Sequence, residues 1–187
     1  MDVIISSVLL LLLSPLFILV AILIKLTDGG PVIYSQLRHG YHAEPFLMFK
    51  FRSMAVDSDL SMSRVASNDD RVTRIGKFMR KISADELPQL WNVLAGEMSL
   101  VGPRPHILSD TDYFSENIQG FLKRHQVKPG LTGLAQINSR GKTDSIDDME
   151  LKLRDDMTYI EEWALLSDLH ILIKTPIAMW NQRRSTY

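Results

Sequence analysis

The sequence predicts an α-rich α+β fold, with an apolar N-terminal membrane segment ahead of a small domain of amphipathic helices and short strands. Three observations carry that expectation. Residues 3–24 contain no charged side chain and only Ser6, Ser7 and Ser14 as polar ones. Apolar residues recur every three or four positions over residues 72–82 and 146–163, the period of a helix with one buried face. Short β-prone runs stand at residues 32–34 and 46–52. With 187 residues, 45% of them apolar, the chain is long enough for one core, either as a single domain or as a domain with an appendage. The absence of cysteine excludes disulfides, thiolate nucleophiles and cysteine-based metal sites. The net charge of −1 conceals an asymmetry, because residues 50–81 hold eight Lys/Arg against four Asp/Glu, whereas residues 110–168 hold seven against twelve. A basic block of that kind calls for an anionic partner such as nucleic acid, nucleotide phosphates or lipid headgroups.

Taken in order, the apolar run would be about 33 Å long as a helix, close to the ~30 Å hydrocarbon core of a bilayer. No basic segment precedes it and no small-x-small cleavage site follows, so it does not read as a secretory signal. Ser14-Pro15 lies at its midpoint, where proline removes a backbone hydrogen bond. A kinked span and a re-entrant helix-break-helix both accommodate that pair. Lys25 and Asp28-Gly29-Gly30-Pro31 end the run, and a short strand is expected at residues 32–34. Residues 46–52 read as a strand that places Lys50 and Arg52 on one face, suited to a phosphate or to an edge strand protected by charge. Residues 57–71 are expected to form a polar surface loop. The helix over residues 72–82 is basic and amphipathic, fit for solvent or for an anionic membrane surface.

The densest chemistry lies at Asp85-Glu86. Leu87, Leu90, Trp91 and Leu94 follow at helical spacing, and capping by Asp85 would place Pro88 inside the first turn, where its missing N–H is harmless. Gly96 is placed to end that helix. The two carboxylates would then sit beside exposed backbone N–H groups, a setting that keeps them ionised and also attracts phosphate. Pro103-Arg104-Pro105 restricts the backbone on both sides of one guanidinium. Pro129-Gly130-Leu131-Thr132-Gly133 reads as a turn, and Gly141-Lys142-Thr143 is no P-loop because Gln136 stands where its first glycine belongs. There is no G-x-G-x-x-G either. A long helix is expected over residues 146–163, and Ser167-Asp168 caps a last segment over residues 169–180, interrupted at Thr175-Pro176, that suits either the bilayer interface with Trp180 as anchor or the core. His39, His42, His125 and His170 show no metal-ligand spacing, and His106 stands out only by following Arg104-Pro105.

The run Asp85-Glu86-Leu87-Pro88-Gln89-Leu90-Trp91-Asn92-Val93-Leu94, followed by Met98-Ser99-Leu100-Val101-Gly102-Pro103-Arg104-Pro105, closely resembles the signature of the monotopic bacterial phosphoglycosyl transferases, in their small single-domain form. The resemblance extends to the Ser14-Pro15 membrane break, Gly30-Pro31-Val32, Phe49-Lys50-Phe51-Arg52-Ser53-Met54 and the stretch from Pro129 to Gln136. It implies that residues 1–25 form a re-entrant helix-break-helix and residues 26–187 a cytosolic catalytic domain docked on the membrane surface with interfacial helices. The location implied is the bacterial inner membrane, monotopic and facing the cytoplasm. The activity implied is transfer of a sugar 1-phosphate from a UDP-sugar to undecaprenyl phosphate with release of UMP, initiating O-antigen, capsule or exopolysaccharide assembly. Asp85 would be the nucleophile and, with Glu86, a Mg²⁺ contact, while Glu86 assists. Lys50, Arg52, Arg80, Arg104 and Arg140 are the cations for the diphosphate, with Arg104 foremost, and Pro103, Pro105 and Gln136 complete the substrate-binding set. No nucleic acid is implied as partner. The patterns at residues 140–144 and 169–175 look more like members that use UDP-glucose or UDP-galactose. Only Met1 and Asp2 precede the membrane run, where relatives often carry a basic stretch, and the additional N-terminal membrane helices of longer members are lacking, so the chain reads as a small enzyme or as the catalytic portion of a larger one. A non-catalytic membrane scaffold and a lipid pyrophosphate phosphohydrolase are the competing functions.

Overall fold

A computed structural model describes residues 1–56, 69–139 and 145–185. Helix α1 (Asp2–Asp28) comes first and is closed by Gly29 in the left-handed conformation. Helical backbone continues through Ser14-Pro15. Proline cannot donate to the Leu11 carbonyl one turn back, and the Ser14 hydroxyl donates to that carbonyl instead, at 2.8 Å. By length and composition α1 is able to cross a membrane. One stripe of it faces the domain at helical spacing. Ile5, Leu9, Leu10 and Leu13 pack on one core cluster, and Phe17, Val20 and Ile24 on a second. The opposite stripe, Ile4, Leu11, Ile18 and Leu26, is exposed.

Strands β1 (Ile33–His39) and β2 (Pro45–Phe51) form an antiparallel hairpin in which Tyr34 pairs with Lys50, Gln36 with Met48 and Arg38 with Phe46. The first strand is longer than the sequence suggested, because its polar residues alternate onto the face that meets the site. Helix α2 (Arg74–Ile82) is capped by the Thr73 hydroxyl, which accepts from the Gly76 N–H at 2.9 Å. Gly76 rests on the Ser53 carbonyl so closely that a Cβ there would lie 1.9 Å from the oxygen. Helix α3 (Gln89–Ala95) carries the buried Asn92, whose Oδ1 accepts from Phe49 N at 3.0 Å and whose Nδ2 donates to Leu47 O and to Glu97 Oε2, both at 2.7 Å. This amide joins α3 to the free edge of β2.

Strand β3 (Ser99–Val101) pairs in parallel with β4 (Gly130–Thr132). The Pro-Gly and Gly signals around residues 129–133, read as a turn, therefore bound a short strand whose partner lies some thirty residues earlier. Between them run α4 (Leu108–Asn117) and a 3-10 segment, Phe121–Gln126. Helices α5 (Leu134–Ser139), α6 (Ile146–Glu161) and α7 (Leu165–Ser185) follow. Helix α6 ends before Trp163, whose indole N–H instead donates to Asp168 at 3.2 Å. Helix α7 begins four residues before the expected start and is not interrupted at Thr175-Pro176. There the Thr175 hydroxyl bonds back to Ile171 O at 2.8 Å and meets Thr132 Oγ1 at 2.7 Å, tying the segment to β4 while it stays helical.

Candidate active site

The dyad does not open a helix at Asp85. Ser83, in the left-handed conformation at φ 56, ends α2 and turns the chain into a single 3-10 turn, Ala84–Glu86, and α3 starts only at Gln89. Pro88 is the physical reason. It has no N–H for the Ala84 carbonyl, so Leu87 N takes that carbonyl at 3.2 Å, an i→i+3 bond that tightens the backbone under the carboxylates. The tight turn aims the two side chains differently. Asp85 is 8% exposed and makes no ion pair among the described residues. Glu86 is held by Lys50, whose Nζ lies 2.9 Å from Oε1, and by Arg104, whose Nη1 donates to Oε2 at 3.2 Å and whose Nη2 grips Oε1.

The electrostatics divide in the same way. Burial and then the neighbouring Glu86 raise the Asp85 carboxyl, while Lys50 and Arg80 pull it back. Burial also opposes charge on Glu86, but Arg104 and Lys50 outweigh it and hold that carboxyl well below the usual range. Glu86 is thus a fixed anion and Asp85 a shielded one, next to cations that Glu86 does not fully neutralise.

Lys50, Arg80, Glu86, Asp85 and Arg104 are brought together. Arg80 donates through Nε to the Ser53 hydroxyl at 2.8 Å, and its charge reaches Asp85. The contact seen for Arg52 lies elsewhere. Strand β2 ends at Phe51, and the Arg52 guanidinium packs against Gly30, where a Cβ would lie 1.9 Å from Nη1. Gln136 donates to Leu131 O at 3.1 Å beneath the Gly133 and Gly102 backbones, and its buried Oε1 has no hydrogen-bond partner among the described residues. Pro103 and Pro105 frame Arg104, and Gly102 admits the Lys128 carbonyl to 2.5 Å of where a Cβ would stand. Gly102 N donates to Thr132 O at 2.8 Å and Gly130 N to Pro103 O at 2.9 Å, so this loop is a continuation of the β3–β4 pairing. Arg140 and residues 57–68 of the loop expected over residues 57–71 lie outside the described residues.

Two arginines that sequence reasoning missed hold the Pro-Arg-Pro loop from below. Arg124, 3% exposed, donates to the Arg104 carbonyl at 3.1 Å and to Asp156 on α6 at 2.6 Å, contacts His106 Nδ1, and stacks over Phe121. Burial first, then Arg124, hold His106 well below the ordinary histidine range, so its ring is neutral and accepts. Arg38, on β1, reaches the Pro105 carbonyl. No motif marks either residue, and the strand expected at residues 32–34 stopped short of Arg38.

Magnesium accepts one or two carboxylates together with substrate phosphates and retains waters. Among the described residues no group of three or more acidic or histidine side chains converges. Asp85 fits such a partial ligand set. Glu86 fits less well, because both its oxygens are already engaged by cations.

Fold and site together define a small domain with a long apolar helix and a carboxylate pair, Asp85 buried and Glu86 half-buried, set among cations. The bacterial sugar transferase family model matches residues 1–182, and the chain belongs to that family. It is 48% identical over 176 residues to the UDP-glucose:undecaprenyl-phosphate glucose-1-phosphate transferase of Klebsiella pneumoniae, covering 93% of this chain and 38% of that protein. To the UDP-N-acetylgalactosamine-undecaprenyl-phosphate N-acetylgalactosaminephosphotransferase of Aeromonas hydrophila it is 42% identical over 176 residues, 94% of this chain and 41% of the relative. To the exopolysaccharide production protein PSS of Rhizobium leguminosarum bv. phaseoli it is 39% identical over 175 residues, 90% of this chain and 88% of the relative. The chain thus spans about two fifths of the length of the first two relatives.

Proposed function

We propose that this chain transfers a sugar 1-phosphate from a UDP-sugar to undecaprenyl phosphate, with Asp85 as the nucleophile. The observation that carries the reading is the division within the dyad, where Glu86 takes up Arg104 and Lys50 while the buried Asp85 keeps its carboxylate out of any ion pair among the described residues. A carboxylate with few hydrogen bonds and a raised proton affinity is a better nucleophile than a solvated one. In the first step an Asp85 oxygen bonds to the sugar-bearing phosphorus, the P–O bond to the α-phosphate breaks, and UMP departs with the electron pair. In the second, an oxygen of undecaprenyl phosphate attacks the same phosphorus and the bond to Asp85 breaks. Arg104, Lys50 and Arg80 supply positive charge where the diphosphate oxygens would lie. Mg²⁺, held by Asp85 and by diphosphate oxygens, would add further charge neutralisation of the departing phosphate.

A monotopic placement, re-entrant in one leaflet and facing the cytoplasm, is part of the same proposal. A helix standing across a bilayer would touch its domain at one end only. Both halves of α1 pack on the domain, from Ile5 to Ile24, while its other stripe remains apolar and exposed. Exposed Leu166, Ile173, Ile177 and Trp180 on α7 and Phe78 on the basic α2 add apolar surface suited to headgroup depth. The acceptor phosphate would then reach the dyad while its polyprenyl chain stays in lipid.

The test is UMP release from a panel of UDP-sugars, led by UDP-glucose and including UDP-galactose and UDP-N-acetylgalactosamine, with and without undecaprenyl phosphate. Sustained UMP release that depends on the lipid is expected for one member, and Asp85→Asn should lower it by a factor of about 10⁴ or more. Equal sustained formation of free sugar phosphate with and without the lipid would make the protein a hydrolase and reject the proposal.

A further inference from the structure

Arg38 is a half-buried cation whose hydrogen bonds, among the described residues, are all to neutral groups. In the antiparallel register, Tyr34, Gln36 and Arg38 stand opposite Lys50, Met48 and Phe46, and facing cross-strand partners share a side of the hairpin. Met48 and Phe46 are buried, so Arg38 points inward on the same side as Lys50. Its Nη2 donates to Gln36 Oε1 at 2.8 Å, its Nη1 lies 3.4 Å from the Pro105 carbonyl, and its Nε is buried with no hydrogen-bond partner among the described residues. Among the described residues no carboxylate lies in ion-pair range of it, and Glu86 is already taken by Arg104 and Lys50. Burial, and then the guanidinium of Arg104, lower its proton affinity to about 10, offset only in part by Asp110, Tyr34 and Glu86. Two guanidinium groups whose charges act on each other, one of them half-buried with no ion-pair partner among the described residues, form an arrangement that an anion completes. The planar fork of arginine matches the oxygens of a phosphate.

We propose that Arg38 is a phosphate-binding residue that forms, with Arg104, a two-guanidinium clamp across Pro105 on the phosphate that enters beside the dyad. The proposal deepens the transferase reading and rests on it for the identity of that phosphate, which belongs either to the UDP-sugar diphosphate or to the acceptor lipid.

The experiment uses the full chain in detergent and its Arg38→Gln and Arg38→Lys variants. Binding of UDP and of inorganic pyrophosphate is measured by calorimetry, Tm is measured without ligand, and KM is measured for undecaprenyl phosphate. Arg38→Gln is expected to keep or raise the ligand-free Tm, because a half-buried charge with no ion-pair partner among the described residues is removed, and to weaken UDP and pyrophosphate by about tenfold or more. Unchanged binding of these two with an acceptor KM raised about tenfold would assign the clamp to the lipid phosphate. A lowered Tm with all three values within about twofold of wild type would overturn the proposal and make Arg38 a structural brace. Should the glutamine variant not fold, Arg38→Lys decides, since it keeps the charge and loses the fork. Weakening of any of the three ligands supports the clamp, and wild-type values for all three overturn it. Pyrophosphate binding needs no turnover. Its loss in Arg38→Gln, in a protein whose wild type releases no UMP, would therefore reject the transferase reading while keeping this one.

Discussion

Helix α1 keeps one conformation and one chemistry for 27 residues, whereas the chain around Asp85 changes conformation every few residues. The first region is specified by hydrophobicity, a property each residue carries by itself. The second is specified by convergence: a 3-10 turn, a strand face, the end of α2 and a Pro-Arg-Pro loop each contribute one or two side chains. A region of the first kind tolerates single changes that preserve its apolar surface. One of the second kind fails when any of its props is removed, even a prop far from the dyad.

The widest expected contrast is topological. The chain has no cysteine, so Asp2→Cys and Lys25→Cys each introduce a unique thiol at opposite ends of the apolar run. Both are expected to react with a membrane-impermeant maleimide from the cytoplasmic face and neither from the outer face, all or none. Labelling of the two ends from opposite faces would make α1 a plain span. Next is the buried Arg124–Asp156 pair, at 3% and 2% side-chain exposure. Arg124→Met leaves Asp156 buried without a partner and should cost roughly 3–5 kcal/mol in chemical denaturation. The double change Arg124→Met/Asp156→Leu should recover most of that stability yet not the activity, because the Arg104 carbonyl has lost its anchor. Full recovery of activity would show that Arg124 does not position the loop. The smallest effect is expected from Arg80→Gln. The raised Asp85 carboxyl must be ionised to attack, so activity should fall on acidification at a higher pH than for an ordinary aspartate. Arg80 lowers that proton affinity, so its removal should move the acid limb of the pH–rate profile further upward. A downward movement or an unchanged limb would detach Arg80 from Asp85.

The same contrast explains what could be read from the sequence. The apolar run, the long α6 periodicity and the glycine end of α3 were legible because each is a local pattern. So were Asp85, Glu86, Lys50, Arg80 and Arg104, all of which the structure gathers. The start of α3 was misplaced because Pro88 was expected to sit inside a helix, whereas its missing N–H tightened the turn before it. Residues 130–132 resembled a turn because glycine and proline surround them, and only pairing with remote residues 99–101 makes them a strand. Arg52 shared a motif with Lys50 but lies past the last strand residue, against Gly30. Arg38 and Arg124 were invisible because the burial of an arginine is decided by partners from other elements, here Gln36, Pro105, Arg104 and Asp156.

The central claim concerns one oxygen of Asp85, and intact-mass analysis of the full chain tests it most directly. After incubation with the active UDP-sugar and no lipid acceptor, the protein should gain the mass of one sugar phosphate, located on the peptide containing Asp85, with release of one UMP per chain and discharge on addition of undecaprenyl phosphate. An unmodified protein that releases no UMP until the lipid is added, yet turns over normally once it is, would contradict the claim and show direct transfer between the two substrates.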